Sequence, residues 1–198
     1  MPEAPVQRKL IVFPTELALR RYHQEQALEQ GWVDASFHTT FARLRKLCLP
    51  YTNIRGRRMD AAQQLLLRRQ VVDVATGHFE GQGTLGELSS NALGEVLDQL
   101  VNELASIPEQ TPRVIDWMLD HNRSHKLHQL GTLFSVWRTI ARQDGRADKL
   151  DINLAILRLL KGDRSSWPPQ LRDCRQLVFR SVRWFNPFEE SCVVALNN

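Results

Sequence analysis

The stretch LVFRSVRWFNPFEESCVVALNN, residues 177–198, decides the fold of this chain. Its opening residues, 177–179, are apolar and belong to a run over 176–182 that predicts a buried β-strand. Asn186 is a preferred helix N-cap, Pro187 fits the first helical position, and two glutamates follow in the first turn. The stretch therefore predicts a strand followed by a helix, the repeating unit of a parallel α/β sheet.

The same order of elements is predicted twice near the N-terminus. Residues 9–13 (KLIVF) are typical of a buried strand, and Thr15 is positioned to cap the helix that follows. A second, shorter strand is predicted over 32–37, and a second helix from residue 39 or 40 to Pro50. We therefore expect 1–58 and 171–198 to form one partial parallel α/β domain.

Between these segments, residues 59–170 predict an all-helical insertion of about five helices and no strand. Asp60 and Ser124 are N-cap candidates, and Thr84-Leu85-Gly86-Glu87 matches a capping box that would open a helix reaching Ile107. Thr111, followed by proline, is a further N-cap candidate.

Three large aromatic residues of the insertion are expected in its core rather than in a base-stacking surface. They are Trp117, Phe134 and Trp137. The predicted fold class is thus α/β with a large all-helical insertion, in which a partial RecA-like parallel sheet is embedded in a predominantly helical chain.

The composition is that of a soluble globular protein. The chain has 198 residues, of which 42% are hydrophobic and 24% charged. No apolar run approaches the roughly 20 residues that span a bilayer, and the N-terminus lacks the apolar core of a secretory signal. Three cysteines in no metal-binding spacing predict free thiols, and with them a cytoplasmic location without a metal site.

Positive charge is concentrated toward the N-terminus. Residues 1–58 hold ten Lys and Arg against five Asp and Glu, whereas 59–170 hold twelve against fourteen. An excess of this kind suits an anionic partner such as nucleic acid, although a mildly basic, solvated surface accounts for it equally well.

Three short motifs give the chain a family resemblance. They are LIVFPT (10–15), SFHTTFARL (36–44) and the strand, aromatic residue and Pro-led helix of the C-terminal stretch. With the predicted layout, they resemble the N-terminal region of the AddB-type subunit of bacterial helicase–nuclease repair complexes. These subunits are relatives of UvrD-like superfamily 1 helicases and are also called PD-(D/E)XK nuclease family proteins.

The departures from that family concern its ATP chemistry. An active relative needs a GxxxxGK[ST] loop for the phosphates of ATP, and the sequence contains none. The acidic pair that holds Mg²⁺ would fall on Arg180 and Ser181, which cannot replace carboxylates. The resemblance therefore implies a helicase-like fold without ATPase activity or cofactor, in a piece of a longer protein whose nuclease lies elsewhere.

Candidate nucleic-acid contacts are the residues at the predicted helix starts and in the basic N-terminal segment: Thr15, Arg20, His38, Thr39, Arg55, Arg57 and Arg58. Helix N-termini at strand ends can bind phosphates, and clustered arginines attract them. Helix capping for the threonines and solvation for the arginines remain open as alternatives. His121 and His125 would share a face on one helix, but the predicted N-cap at Ser124 separates them.

Two functions of different classes follow. The first is a non-catalytic, ATPase-inactive helicase-like scaffold that contributes single-stranded DNA binding to a DNA-repair helicase–nuclease. The second is a helical protein–protein interaction module that docks a partner subunit, such as a partner helicase, or the remainder of its own chain. A half-built sheet would also expose an edge strand, through which a homodimer could form. An ATP- or metal-dependent enzyme is disfavoured by the missing phosphate loop.

Overall fold

The computed structural model describes residues 9–33, 35–54, 56–121 and 124–197. The chain divides into two compact units. Unit 1 consists of residues 1–52 and 156–198, and unit 2 of residues 53–155. The domain boundaries expected from the sequence are 1–58 with 171–198 for the α/β domain and 59–170 for the helical insertion. They remain a prediction.

Unit 1 contains a three-stranded parallel sheet whose central strand is the first in the chain, with the C-terminal strand at one edge. Its elements are β1 (Lys9–Phe13), α1 (Glu16–Gln30), β2 (His38–Thr40), α2 (Phe41–Cys48), α8 (Pro169–Arg172), β5 (Gln176–Phe179) and α9 (Pro187–Asn197). The strand of the C-terminal stretch pairs with β1 in the register Leu10 with Leu177 and Ile11 with Val178. The predicted α/β class, mainly helical with a partial parallel sheet, is thereby confirmed.

The helices of unit 1 begin where their caps predict. The hydroxyl of Thr15 accepts a hydrogen bond from the backbone N–H of Ala18 at 3.1 Å. Asn186 and Glu189 form a reciprocal capping box at 3.0 and 3.1 Å, which starts α9 at Pro187. Central β1 buries Leu10, Val12 and Phe13 among the helices.

The second strand lies elsewhere than predicted. Residues 35–37 form a 3₁₀ turn, and Trp32 is exposed rather than buried in a strand. The strand is His38–Thr40, which aligns with Ile11 to Phe13 of β1. Pairing with β1, rather than apolar character of its own, makes these three polar residues a strand.

Unit 2 is built from α3 (Ala61–Phe79), α4 (Ser90–Ser106), α5 (Thr111–Asp120), α6 (His125–Gln143) and the first part of α7 (Lys149–Lys161). One continuous apolar core joins these helices, with Leu67, Leu97 and Leu133 fully buried. The residues described between 59 and 170 thus include five helices, but they also include a strand, contrary to the prediction. It is β4 (Arg146–Ala147), which pairs with β3 (Arg57–Arg58).

Two predicted caps of unit 2 are wrong. Thr84 adopts a left-handed backbone (φ +48°) in a 3₁₀ turn over Thr84–Glu87, and α4 starts only after Ser89. The hydroxyl of Thr111 donates to the carbonyl of Leu104 at 2.6 Å, so it satisfies the end of α4 instead of starting α5. In both cases a partner outside the predicted helix start uses the side chain that the local pattern assigns to a cap.

The three aromatic residues expected in the core of unit 2 differ in their burial. Phe134 and Trp137 are buried as predicted, but the side chain of Trp117 is 51% exposed. The indole N–H of Trp137 donates to the buried carboxylate of Asp148 at 3.2 Å, and Arg138 donates to the same oxygen at 2.7 Å. Burial lowers the pKa of Arg138, but hydrogen bonds to Asp151 and Asp148 outweigh burial and raise it.

Candidate nucleic-acid interface

The carboxyl ends of β1, β2 and β5 lie at the same edge of the sheet because the three strands are parallel. α1 follows β1, α2 follows β2 directly, and the segment 180–186 follows β5. Ligands of open α/β sheets bind outside this carboxyl edge. A ligand-binding site of unit 1 is therefore expected at this edge.

Two of the strand ends lead into capped helix N-termini. Thr15 caps α1, and the hydroxyl of Thr40 accepts a hydrogen bond from the N–H of Arg43 at 3.3 Å to cap α2. Uncapped N–H groups of such helix ends are potential donors to a phosphate. The position of Thr15, predicted from sequence as a helix start at a strand end, is thus as expected.

A carboxylate of the protein itself occupies the space between these two helix ends. Arg43 donates to both oxygens of Glu16, at 2.8 and 2.6 Å, and the hydroxyl of Thr40 donates to Glu16 at 3.1 Å. The hydrogen bond from Arg43 has the largest effect and, together with that from Thr40, outweighs desolvation. The pKa of Glu16 is consequently held below its ordinary value.

His38 and Thr39 do not form one site. Successive strand residues project to opposite faces of a sheet, and His38 is on the face covered by α1. There its Nδ1 lies 2.9 Å from Nε2 of His23, and its ring meets Tyr22 edge-on at 5.2 Å. Thr39 projects to the other face, so the two residues cannot contact the same nucleotide side by side.

The candidate arginines belong to different units. Arg20 is exposed on α1 in unit 1, whereas Arg57 and Arg58 are exposed on β3 in unit 2. Arg55 lies outside the described residues. Arg57 and Arg58 do not lie in a structureless loop, because β3 pairs with β4 and the N–H of Arg57 donates to the carbonyl of Gly145 at 2.9 Å.

The segment after β5 contains binding candidates that sequence reasoning missed. Its backbone continues the sheet by one residue, where the N–H of Arg180 donates to the carbonyl of Val12 at 3.0 Å. The guanidinium of Arg180 stacks over the ring of Tyr22 at 4.4 Å. Arg183 is exposed, and the indole of Trp184 is 76% exposed. The sequence signal that could have indicated these candidates is a pair of arginines followed by an aromatic residue at a strand end.

This segment is fixed at both ends. At the C-terminal end of the segment, the ring of Phe185 packs edge-on against Phe179 at 5.2 Å and against Phe41 at 5.7 Å. At its start, Arg180 is held by β1 and Tyr22. Arg183 and Trp184 lie between the two anchors. We refer to residues 180–184 as the basic–aromatic segment.

Charge also favours unit 1 as the anion-binding part. Unit 1 holds fourteen Lys and Arg against nine Asp and Glu, and unit 2 holds twelve against thirteen. The whole excess of positive charge in the chain therefore belongs to unit 1. Such an asymmetry raises the local concentration of anionic ligands and their association rate.

Metal chemistry finds no support in the part of the chain that the structure describes. It contains no group of three or more His, Cys, Asp or Glu arranged to hold a metal ion. All three cysteines are free and buried, as predicted. Burial raises the pKa of Cys48 to about 12, and burial followed by the neighbouring Cys48 raises that of Cys192 to about 12.

Comparison with known proteins gives no family. No protein-family model matches the chain, and no curated protein sequence matches it significantly. None of the described helices is both long and apolar enough to cross a membrane. The resemblance to AddB-type subunits thus rests on the predicted layout of elements and the three sequence motifs.

Proposed function

We propose that this chain is a non-catalytic, helicase-like scaffold that binds single-stranded DNA through unit 1. The observation that carries the proposal is the basic–aromatic segment at the carboxyl edge of the sheet, where the exposed Arg183 is followed directly by Trp184, whose indole is also exposed. Arginines neutralise backbone phosphates, and an exposed aromatic ring stacks on unpaired bases without regard to sequence.

The proposal places DNA along the strand ends rather than at the arginines of β3. Arg180 and Arg183 precede the indole in the same segment and lie in the unit that holds the positive excess. The resemblance to AddB-type subunits supports the same edge, since its first two motifs contain β1 with Thr15 and β2 with α2. In this proposal the chain contributes DNA contacts to a repair helicase–nuclease in the cytoplasm and needs no cofactor.

The test is a fluorescence-anisotropy titration of labelled single- and double-stranded oligonucleotides at two salt concentrations. For the double variant Arg180→Ala/Arg183→Ala, loss of two phosphate contacts reduces the slope of log affinity against log salt by about 1.4. The matched control is Arg57→Ala/Arg58→Ala, which removes the same charge from unit 2. Equal losses in both variants would contradict the assignment to the basic–aromatic segment.

The indole is tested separately. We expect Trp184→Ala to lose about 1–3 kcal/mol of single-strand affinity through stacking, with the salt dependence unchanged. Trp117→Ala, which removes another exposed indole from unit 2, serves as the control. Absence of binding by the unaltered chain at low salt would refute the DNA-binding proposal altogether.

A second candidate function, protein docking, is favoured by a different surface. α3 exposes Leu65, Leu66 and Val74, which sequence periodicity assigns to its apolar positions. β2 and β5 are the edges of the sheet, and the side chains at 177–179 of β5 are only half-buried. We propose a partner subunit for α3, or a second copy paired along β5, as the alternative. Light scattering coupled to gel filtration distinguishes a dimer from a monomer.

A further inference from the structure

A polar cavity of about 410 Å³ in unit 2 brings together four of the chain's six histidines. His78 lies on α3, His125 and His128 lie on α6, and His121 directly follows α5. The residues that line the cavity are His78, Phe79, Gln82, His121, Ser124, His125, His128, Gln129 and Thr132. The volume is within the range of sites for small ligands. Neither candidate function uses this cavity.

Backbone carbonyls orient two of the four imidazoles. Nε2 of His125 lies 2.9 Å from the carbonyl oxygen of Gln82, and Nδ1 of His128 lies 2.9 Å from that of Leu119. A carbonyl only accepts, so both ring nitrogens must carry the proton and donate. The amide nitrogen of Gln129 is also 3.3 Å from Nε2 of His125, but two donors cannot bond each other, and the shorter contact to the carbonyl decides the tautomer.

This orientation fixes what the other ring nitrogens can offer. In a neutral ring, Nδ1 of His125 and Nε2 of His128 are acceptors, and on protonation they become charged donors. Protonation leaves both bonds to the carbonyls intact, because those nitrogens donate in either state. The two rings can therefore gain positive charge without rearrangement.

The lining favours a negatively charged ligand. Among its described residues there is no Asp or Glu, and the remaining polar groups are amides and hydroxyls. The charged residues next to them along the chain, Glu80, Asp120 and Lys126, are exposed and do not line the cavity. Cation binding by three ligands is not supported, since no such group exists in the described part of the chain.

We propose that this cavity is a binding site for a small tetrahedral oxyanion, sulfate or a phosphoryl group, held by protonated His125 and His128. His78 and His121 line the same cavity. Imidazole is the side chain whose charge changes between about pH 5 and 8, so affinity rises toward the acidic end of this range. The site is independent of the DNA-binding proposal, because it lies in unit 2.

The test uses sulfate, whose charge is constant over this pH range, so that any pH dependence comes from the protein. Imidazole ring C–H resonances of the full chain are followed by NMR as sulfate is added at about pH 6 and about pH 8 at constant ionic strength. We expect saturable shifts of the resonances of His125 and His128, with a dissociation constant at least about tenfold lower at the acidic pH.

His125→Gln/His128→Gln is expected to abolish the saturable shifts of His78 and His121, while His23→Gln in unit 1 leaves them unchanged. Both altered side chains of the double variant are exposed, and a thermal melt at about pH 8 verifies that it is folded. A phosphate monoester is the second probe. If the monoester and sulfate each bind, the site is assigned to phosphoryl groups. If sulfate binds and the monoester does not, the site is assigned to free ions.

Three results would each overturn the proposal: no saturable shift at the acidic pH, equal affinity at both pH values, or an unchanged titration in the double variant. Tight binding of Ni²⁺ or Zn²⁺ that sulfate does not displace would also overturn it, because neutral imidazoles would then be metal ligands.

Discussion

Replacing Glu16 by Gln tests whether DNA passes the helix ends that follow β1 and β2. The carboxylate of Glu16 holds Arg43 at 2.6 Å and lies where a phosphate would meet the N-termini of α1 and α2. Glu16→Gln removes the negative charge but keeps an oxygen that can accept from Thr40. Arg43 is then available to a nucleic-acid backbone.

The size of the effect follows from one additional phosphate contact. Each contact on a single strand adds about 0.7 to the slope of log affinity against log salt, which corresponds to about eightfold tighter binding at about 0.05 M salt. Glu16 and Arg43 are both substantially exposed, with side chains 44% and 56% accessible, so the fold is expected to survive the change. Anisotropy titrations at several salt concentrations measure both quantities.

Glu25→Gln is the matched control because it removes the same charge from the same helix. Nine residues separate the two positions, about 13 Å along α1, which exceeds the Debye length of about 10 Å at 0.1 M salt. Equal affinities and slopes for the two variants would refute the reasoning and exclude DNA from these helix ends. In the double variant Glu16→Gln/Arg43→Gln, the affinity is expected to return to that of the unaltered chain.

The pH dependence of this pair has a defined sign. The folded-state pKa of Glu16 is lowered, so its contribution to stability is present above the unfolded-state pKa and is lost as the pH falls through the folded-state value. At neutral pH the carboxylate is charged and the two helix ends stay closed to anions. Tightening of DNA binding by Glu16→Gln is therefore largest near neutral pH.

Two further predictions concern stability and thiol reactivity. Asp148→Ala leaves the buried indole N–H of Trp137 without its acceptor and leaves Arg138 with Asp151 as its remaining carboxylate, so it is expected to lower the unfolding free energy in urea by about 1–3 kcal/mol. Asp98→Ala, which removes the exposed carboxylate of a half-exposed pair with Arg68, should cost about 0–1 kcal/mol, and equal losses would contradict the argument. In a Cys174→Ser background, Cys48 and Cys192 should react with an aromatic disulfide reagent at about pH 8 only after unfolding, because about one in ten thousand of each thiol is ionised at a pKa of about 12. Rapid reaction of the folded chain would show that these thiols are accessible.

Helix starts were predictable because their signals are local. The side chains of Thr15, Asp60 and Asn186 each bond a backbone N–H three residues on, an interaction that depends on a few neighbouring residues. Thr84 has the same local pattern but bonds Gln129, far along the chain. A cap pattern predicts a helix only where no tertiary partner competes for the side chain.

Strand positions were predictable only where an apolar run marks them. The apolar run of β1 is evident in the sequence, whereas His38–Thr40 becomes a strand through its register with β1. The two-residue strands β3 and β4 likewise exist only as a pair. No pattern within such short polar segments distinguishes them from turns.

The candidate site was predictable only in part, because some of its contacts join residues that are distant in sequence. Thr15 lies at the carboxyl edge, as a strand followed by a helix implies, but the pairing of Glu16 with Arg43 joins residues from separate helices. The stack of Arg180 on Tyr22 joins opposite ends of the chain. Such contacts decide whether a helix end is open to a phosphate, and no local pattern contains them.

The exposure of Trp184 is the observation that folding explains least. Burying an aromatic side chain removes about 150–250 Å² from water, so at about 25 cal/mol per Å² the exposed indole forgoes about 3–5 kcal/mol. The ring of its neighbour Phe185 packs against the ring of Phe179, which shows that this part of the chain can pack a ring against the fold. A partner that covers the indole would recover part of that energy. Because Arg183 adjoins it and Arg180 begins the segment, an anionic partner with flat rings fits better than an apolar protein surface, and single-stranded nucleic acid has both properties.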